Sequence, residues 1–340
     1  MDITAVSFVT LDGLKEFLKK CKETFSLKKD CDERWDSITN YYNEALTDVF
    51  TYMCTVKIDE VSSRHIYRSI FSGNICLKSI NLPAVKDLTV ETLNIDYSDG
   101  VFSGCINLEK VTLPSVTDTG TYTFQNCTSL ASIDLSACTT IGDYAFQNCT
   151  SLASIDLPVC TTIESYAFEN CTALANISLP ACTITGFYSF RKCTGLARIA
   201  LPVCTTVDSY SFYGCSNLMD VNAPLVTEIN SGAFRGCTSL IVISLPACTS
   251  LGSSAFRECS NLKAVDIPLC KTIDKTVFSD CMSLATINLP ACTSAVATSF
   301  QNCDNLTEIH FAAANQATIE ALAGYASKFG ATNATIYFDL

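Results

Sequence analysis

Thr128-Ser129-Leu130-Ala131-Ser132-Ile133-Asp134-Leu135-Ser136-Ala137-Cys138, followed by Tyr144-Ala145-Phe146-Gln147-Asn148-Cys149, decides the fold, because residues 71 to 311 are copies of it. Phenylalanine recurs at 102, 124, 146, 168, 190, 212, 234, 256, 278 and 300, a spacing of 22 without an insertion. Each is followed by cysteine three positions later, leucine three later again, Ile or Val after three more, and then Leu at most copies. In the copy that starts at Phe146 the fixed set is Phe146, Cys149, Leu152, Ile155, Leu157 and Cys160.

The spacing has a physical reason. Around Ile133 and Leu135 alternate side chains point inward while Ser132 and Asp134 point out, which is the period of a strand. One coil cannot bury its Phe, Leu and Ile alone, but stacked coils bury them against their neighbours. Coils about 4.8 Å apart would place their strands in one parallel sheet. The order Leu-x-x-Ile-x-Leu-x-x-Cys-x-x-Ile matches the leucine-rich-repeat signature, with Cys138, Cys160 and Cys182 at its Asn/Cys position.

The same period accounts for the 21 cysteines. Between Cys127 and Cys215, and again from Cys237 to Cys303, they fall every 11 residues, which is a structural rhythm and not a staple pattern. They are expected to be reduced and buried, in two interior ladders under tight bends, as small apolar groups with little need of a hydrogen-bond partner. No Cys-x-x-Cys pair occurs and only His65 and His310 could assist, so no metal is expected.

Composition excludes several functions. A net charge of −12 disfavours nucleic acid, whose phosphates need clustered Lys and Arg. No window approaches 18 consecutive apolar residues, so no membrane insertion is expected. The opening Met1-Asp2-Ile3-Thr4 has no basic lead-in, and the expectation is a product folded in the cytoplasm without a secretory signal. There is no Gly-x-Ser-x-Gly, phosphate loop or metal motif, so the chain is not expected to be an enzyme, and no cofactor is expected.

The segment Ile141-Gly142-Asp143-Tyr144-Ala145-Phe146-Gln147-Asn148-Cys149-Thr150-Ser151-Leu152-Ala153-Ser154-Ile155-Asp156-Leu157-Pro158 resembles the BspA-like leucine-rich repeats, also called the Treponema pallidum type. The resemblance implies a right-handed solenoid and a surface or adhesion protein that binds protein or glycan. The expected fold is therefore an α/β-type repeat solenoid of about eleven 22-residue coils with a parallel β-sheet over residues 71–311. A helical N-terminal region, residues 1–70, and a helix-strand cap, residues 312–340, would flank it. In that cap Asn315 starts a helix carrying Ile319, Leu322, Tyr325 and Phe329, and residues 335 to 338 form a last strand.

Within residues 1–70, Leu11, Leu14, Leu18, Cys21 and Phe25 are spaced as one stripe of a helix, and Cys31, Trp35, Ile38, Tyr42, Ala45 and Val49 form a second. These helices either close the first repeat or self-associate through Leu11, Leu14 and Leu18. Ser7-Phe8-Val9-Thr10-Leu11-Asp12-Gly13-Leu14 and the residues to Lys20 resemble the opening of bacteriophage tail-fibre and other virion proteins. That resemblance implies a virion component made in host cytoplasm and attached to other virion proteins. The other expectation is a BspA-like adhesin or interaction scaffold, at the cell surface or cytoplasmic.

Recognition would fall to what the core leaves free. The outward strand positions include Asp134, Asp156, Asn176 and Arg198. Tyr122, Tyr144, Tyr166, Tyr188 and Tyr210 form a column that would either bind a ligand on a host or cell surface, by stacking on sugars or packing on protein, or simply cover the Phe ladder at the coil edge. Gln125, Gln147, Glu169, Arg191, Tyr213, Arg235, Arg257 and Gln301 vary beside the first cysteine ladder and offer a further specificity surface.

Overall fold

A computed structural model describes residues 6–8, 55–58, 73, 78–81 and 100–339. The expected N-terminal helices with Leu11, Leu14 and Leu18, and Phe71 itself, lie outside the described residues. The chain forms two compact units, Met1–Leu157 and Pro158–Leu340.

The first unit carries a parallel sheet of β1 (Val6–Phe8), β2 (Thr55–Ile58), β3 (Ser79–Asn81), β4 (Lys110–Thr112) and β5 (Ser132–Asp134), in that order. β3 to β5 are the expected repeat strands. β1 and β2 fall in the region expected to be helical and outside the repeat, yet Val56 pairs with Ile80 and continues the sheet. Strands of three and four residues are too short to show a period, so apolar and polar alternation in Val6-Ser7-Phe8 and Thr55-Val56-Lys57-Ile58 passes unnoticed.

In the second unit one coil shows how all are built. Cys193 N–H donates to the Phe190 carbonyl and Leu196 N–H to that of Cys193, each at 3.1 Å, which turns the chain without a helix. Arg198–Ala200 then forms a strand that is exposed, buried and exposed in turn, so Ile199 alone faces the core. Leu201 and Cys204 are buried after it. Pro202 fits at the strand's end, where a residue with no N–H to donate is tolerated.

A second row of two-residue strands follows the second cysteine of each coil. It runs from Thr162–Ile163 through Ile184–Thr185, Thr206–Val207, Glu228–Ile229, Ser250–Leu251 and Thr272–Ile273 to Ser294–Ala295, all parallel. Only one sheet was expected. Between residues 100 and 311 no residue is helical, so the connecting sides of each coil are turns and short strands.

The core follows the ladders. The ten ladder phenylalanines, spaced by 22 from Phe102 to Phe300, are fully buried. Within the second unit neighbouring rings from Phe168 to Phe300 stack with centroids 5.1 to 5.7 Å apart and planes within 6°. Phe102, Phe124 and Phe146 stack likewise in the first unit. The backbone fixes this register: Phe190 N–H donates to the Ser211 carbonyl at 2.7 Å, and Phe212 N–H to that of Ala233 at 2.8 Å.

The cap departs from its expected form. Its α-helix spans only Gln316–Glu320, flanked by 3-10 turns at Ala313–Asn315 and Lys328–Gly330. Asn315 does not cap it, because its amide donates instead to the carbonyls of Pro290 and Cys292 in the last coil. Ile319 and Phe329 are buried as expected. Phe300 N–H donates to the Phe329 carbonyl at 2.9 Å, so the cap supplies the acceptor that another coil would have given. Thr335–Phe338 pairs with Glu308–Phe311 as the edge strand.

Candidate functional site

The seventeen described cysteines are all free and buried. The thiols nevertheless have partners, contrary to their expected indifference. In the first ladder Cys193 Sγ donates to Phe168 O at 3.0 Å, and Cys215 to Phe190 O at 3.0 Å. In the second ladder the thiol donates two residues ahead, as from Cys204 to Thr206 O at 3.1 Å. A thiol is the small donor that reaches a carbonyl under a bend and still packs as an apolar group. Burial pushes the Cys215 and Cys259 thiols up to about 12, so neither is a nucleophile near neutrality.

The ladder set Phe146, Cys149, Leu152, Ile155, Leu157 and Cys160 is buried throughout, with relative exposure of 4% at most. It is therefore structural. Among the described residues no group of three or more His, Cys, Asp or Glu side chains could hold a metal ion. No described helix is long and apolar enough to cross a membrane.

The outward candidates are where alternation puts them. Asp134, Asp156, Asn176 and Arg198 are all exposed. Asp134 Oδ1 accepts from the Ser136 N–H at 3.1 Å, while Arg198 and Asp220 are register partners on adjacent strands.

The tyrosine column has a feature that its residue type conceals. Tyr122, Tyr144, Tyr166, Tyr188 and Tyr210 all have φ between 55° and 59°, in the left-handed region. The equivalent residues of the next three coils are Gly232, Ser254 and Thr276. For a residue with a bulky side chain this conformation costs about 1–2 kcal/mol. Each ring partly offsets that by stacking: Tyr122 on Tyr144 at 4.8 Å, Tyr166 on Tyr188 at 5.2 Å, and Tyr188 on Tyr210 at 4.9 Å. A stacked pair contributes about 0.5–1.5 kcal/mol, so the two effects nearly cancel.

Tyr188 is stacked on both faces, so it presents its ring edge and hydroxyl, and flat stacking of a sugar on that ring is not available. Tyr210 ends the column by lying over Gly232, where a Cβ would come within 2.3 Å of its ring.

Around Tyr188 the column widens into a cluster. Phe187 meets Tyr188 edge-on at 4.2 Å, and Arg191 lies over the rings of Tyr188 and Tyr213 at 5.0 and 5.7 Å. Arg235 covers Tyr213 at 5.6 Å. The Arg191 guanidinium pairs with Glu169 at 2.7 Å, and Arg235 with Glu258 at 2.9 Å. Burial raises the Tyr188 hydroxyl above its ordinary pKa, and the neighbouring Tyr210 adds to this, so it stays a neutral donor and acceptor. Sequence reasoning placed Arg191, Tyr213 and Arg235 beside the cysteine ladder but missed that they interleave. It missed Phe187 altogether, although an aromatic residue there replaces the Ser of the neighbouring coils at 165 and 209.

The family described as BspA type Leucine rich repeat region matches this repeat-bearing chain over residues 35–129, 64–197, 117–241 and 205–328. The chain belongs to the BspA-type leucine-rich-repeat family. Three solved structures with similar backbones illustrate the company of this BspA-type chain. A leucine rich cell surface protein of Faecalibacterium prausnitzii A2-165 has a TM-score of 0.46 and 20% identity, over 81% of this chain and 82% of that one. A leucine-rich repeat protein of Bacteroides ovatus ATCC 8483 has a TM-score of 0.43 and 20% identity, over 77% and 92%. The leucine rich repeat protein of T. pallidum has a TM-score of 0.42 and 28% identity, over 45% and 78%. No curated protein sequence matches the BspA-type chain.

Proposed function

We propose that this BspA-type chain is a non-enzymatic recognition or adhesion protein acting at a cell surface, and that the tyrosine-arginine cluster of its second unit meets the ligand. The supporting observation is the left-handed backbone of Tyr166, Tyr188 and Tyr210. Stability alone does not select tyrosine there, since stacking and strain nearly cancel and the next coils use Gly, Ser and Thr at the same place. The turn imposes the same left-handed backbone at Gly232, Ser254 and Thr276, so a bulky ring kept where glycine would be unstrained points to a task for the side chain.

The cluster offers phenol hydroxyls, ring edges and the rims of two guanidinium groups, in a half-buried setting. Such amphipathic groups suit a protein or glycan surface with mixed apolar and hydrogen-bonding character. The virion reading rests on residues 7–20 alone, and no described feature of the solenoid favours it over a BspA-like adhesin.

The test is a comparison of the full chain with a Tyr166→Gly, Tyr188→Gly, Tyr210→Gly variant on an array of immobilised glycans and extracellular-matrix proteins. Loss of the wild-type signals with an unchanged circular dichroism spectrum supports the reading. Equal binding by both proteins counts against it.

A further inference from the structure

The tyrosine column has a first member as well as a last one, and the two ends differ. Tyr210 lies over Gly232, whereas Tyr122 stacks on Tyr144 at 4.8 Å and makes no second ring contact among the described residues. The face of Tyr122 away from Tyr144 is on the side of the preceding coil, where the residue 22 positions back is Gly100. A Cβ at Gly100 would run into the Tyr122 carbonyl, so the backbone permits no side chain there to cover the ring.

Two amides border this face. Gln125 N–H donates to the Tyr122 carbonyl at 3.1 Å, so Gln125 and Asn126 stand in the same tight turn as the ring. In the second unit the residue equivalent to Gln125 is Arg191, whose guanidinium lies 5.0 Å from the centroid of the Tyr188 ring, so a side chain at this place reaches the ring of its own coil. Gln125 Nε2 donates to Gln147 Oε1 at 2.6 Å, and Asn126 Oδ1 accepts from Asn148 Nδ2 at 2.7 Å. Neither amide has a further side-chain partner among the described residues, which leaves Gln125 Oε1 as an acceptor and Asn126 Nδ2 as a donor.

The asparagine ladder also ends here. The bond from Asn126 N–H to the Gln147 carbonyl is repeated from Gly104 to Gln125 and from Gly73 to Ser103, so Gly104 and Gly73 hold the place of Asn126 on the two coils before it. Neither glycine can continue the ladder, and the Asn126 amide keeps its donor.

We propose that the open face of Tyr122, with the amides of Gln125 and Asn126 at its rim, binds a neutral sugar ring. A pyranose offers a flat C–H face to an aromatic ring, and hydroxyls at its edge that each both donate and accept. One free amide acceptor and one free amide donor match such hydroxyls. An apolar side chain seated on the same ring would leave both amides unpaired, and Tyr122, Gln125 and Asn126 carry no charge to hold an ion. The inference is independent of the tyrosine-arginine cluster, which lies in the second unit and whose Tyr188 is stacked on both faces.

Titration calorimetry and saturation-transfer NMR of the full chain with cellotetraose, chitotetraose and galactotetraose test this. One ring and two amides support a dissociation constant on the order of 1 mM, and at least one of the three sugars is expected to bind so, with saturation strongest at its ring C–H protons. Tyr122→Gly, and Gln125→Ala with Asn126→Gly, should each weaken binding by about 10-fold or more. Tyr122→Phe keeps the platform and should retain most of the affinity, and the Tyr166→Gly, Tyr188→Gly, Tyr210→Gly variant should bind as the wild type does. Circular dichroism confirms that each variant is folded. Absence of binding by all three sugars, binding indifferent to Tyr122→Gly, a Tyr122→Phe variant no better than Tyr122→Gly, or binding lost in the second-unit variant would each overturn the proposal.

Discussion

Cys193 Sγ reaches the carbonyl oxygen of Phe168, 25 residues back, at 3.0 Å, and so ties one coil to the coil before it. That oxygen already accepts the Cys171 N–H at 3.1 Å, so the thiol is a second donor as well as core packing. Cys193→Ala should therefore cost about 1–3 kcal/mol, from a small cavity and one lost hydrogen bond. Cys193→Ser keeps a donor and should cost less. Urea unfolding of both variants checks this, and a serine variant less stable than the alanine one would show that packing alone matters.

Thiol chemistry offers a second test. Burial pushes Cys182, Cys270 and Cys303 up to about 12. Of the 21 cysteines, 17 are buried and free, which leaves four outside the described residues. Native protein at pH 8 should expose no more than those four to a disulfide reagent, and guanidinium should release all 21. The raised folded values also mean that stability is fully present below the unfolded thiol pKa and declines above about pH 8.5. Fast labelling of more than four thiols in the native chain would contradict the ladders.

His310 links the last coil to the edge strand. Its Nδ1 lies 2.8 Å from Asp339 Oδ1, its Nε2 lies 3.4 Å from Glu308 Oε2, and its ring stacks on Tyr337 at 4.8 Å. Burial lowers its pKa, but the hydrogen bonds and charges of Asp339 and Glu308 outweigh this and raise it above the ordinary value. A raised folded pKa gives stability that is complete below about pH 6.5 and is lost as pH rises through the folded value. Amide exchange of residues 335 to 338, corrected for intrinsic rate, should quicken across that window, and His310→Gln should remove the pH dependence.

Gly232 receives the ring of Tyr210 and has φ of 63°. Gly232→Ala should cost about 1–3 kcal/mol, part from the backbone and part from the displaced ring. Adding Tyr210→Ala should recover only the steric part. Complete recovery in the double variant would mean that the left-handed backbone carries no cost there.

The 22-residue period and the buried Phe, Cys, Leu and Ile ladders were legible because they depend on residue type at fixed spacing. Positions such as Tyr188 were not, because tyrosine does not announce a left-handed backbone as glycine does. Asn126, Asn148 and Asn170 share that conformation, which asparagine adopts more readily than most residues. Two-residue strands such as Thr206–Val207 carry no period to detect. The cap helix proved short because Asn315 is committed to the last coil, a long-range contact that local pattern does not contain. Among the site candidates, exposure at Asp134, Asp156, Asn176 and Arg198 follows from alternation, while the interleaving of Arg191, Tyr213 and Arg235 depends on how coils stack.

Strain and stacking nearly cancel in the tyrosine column, which leaves its rings free for the recognition proposed above. The most direct measurement is the unfolding free energy of Tyr188→Gly in urea beside that of the wild type. A difference within about 1 kcal/mol is expected, because glycine relieves the left-handed strain as it removes the stack. A loss of about 3 kcal/mol or more would contradict the claim and make the column part of the core.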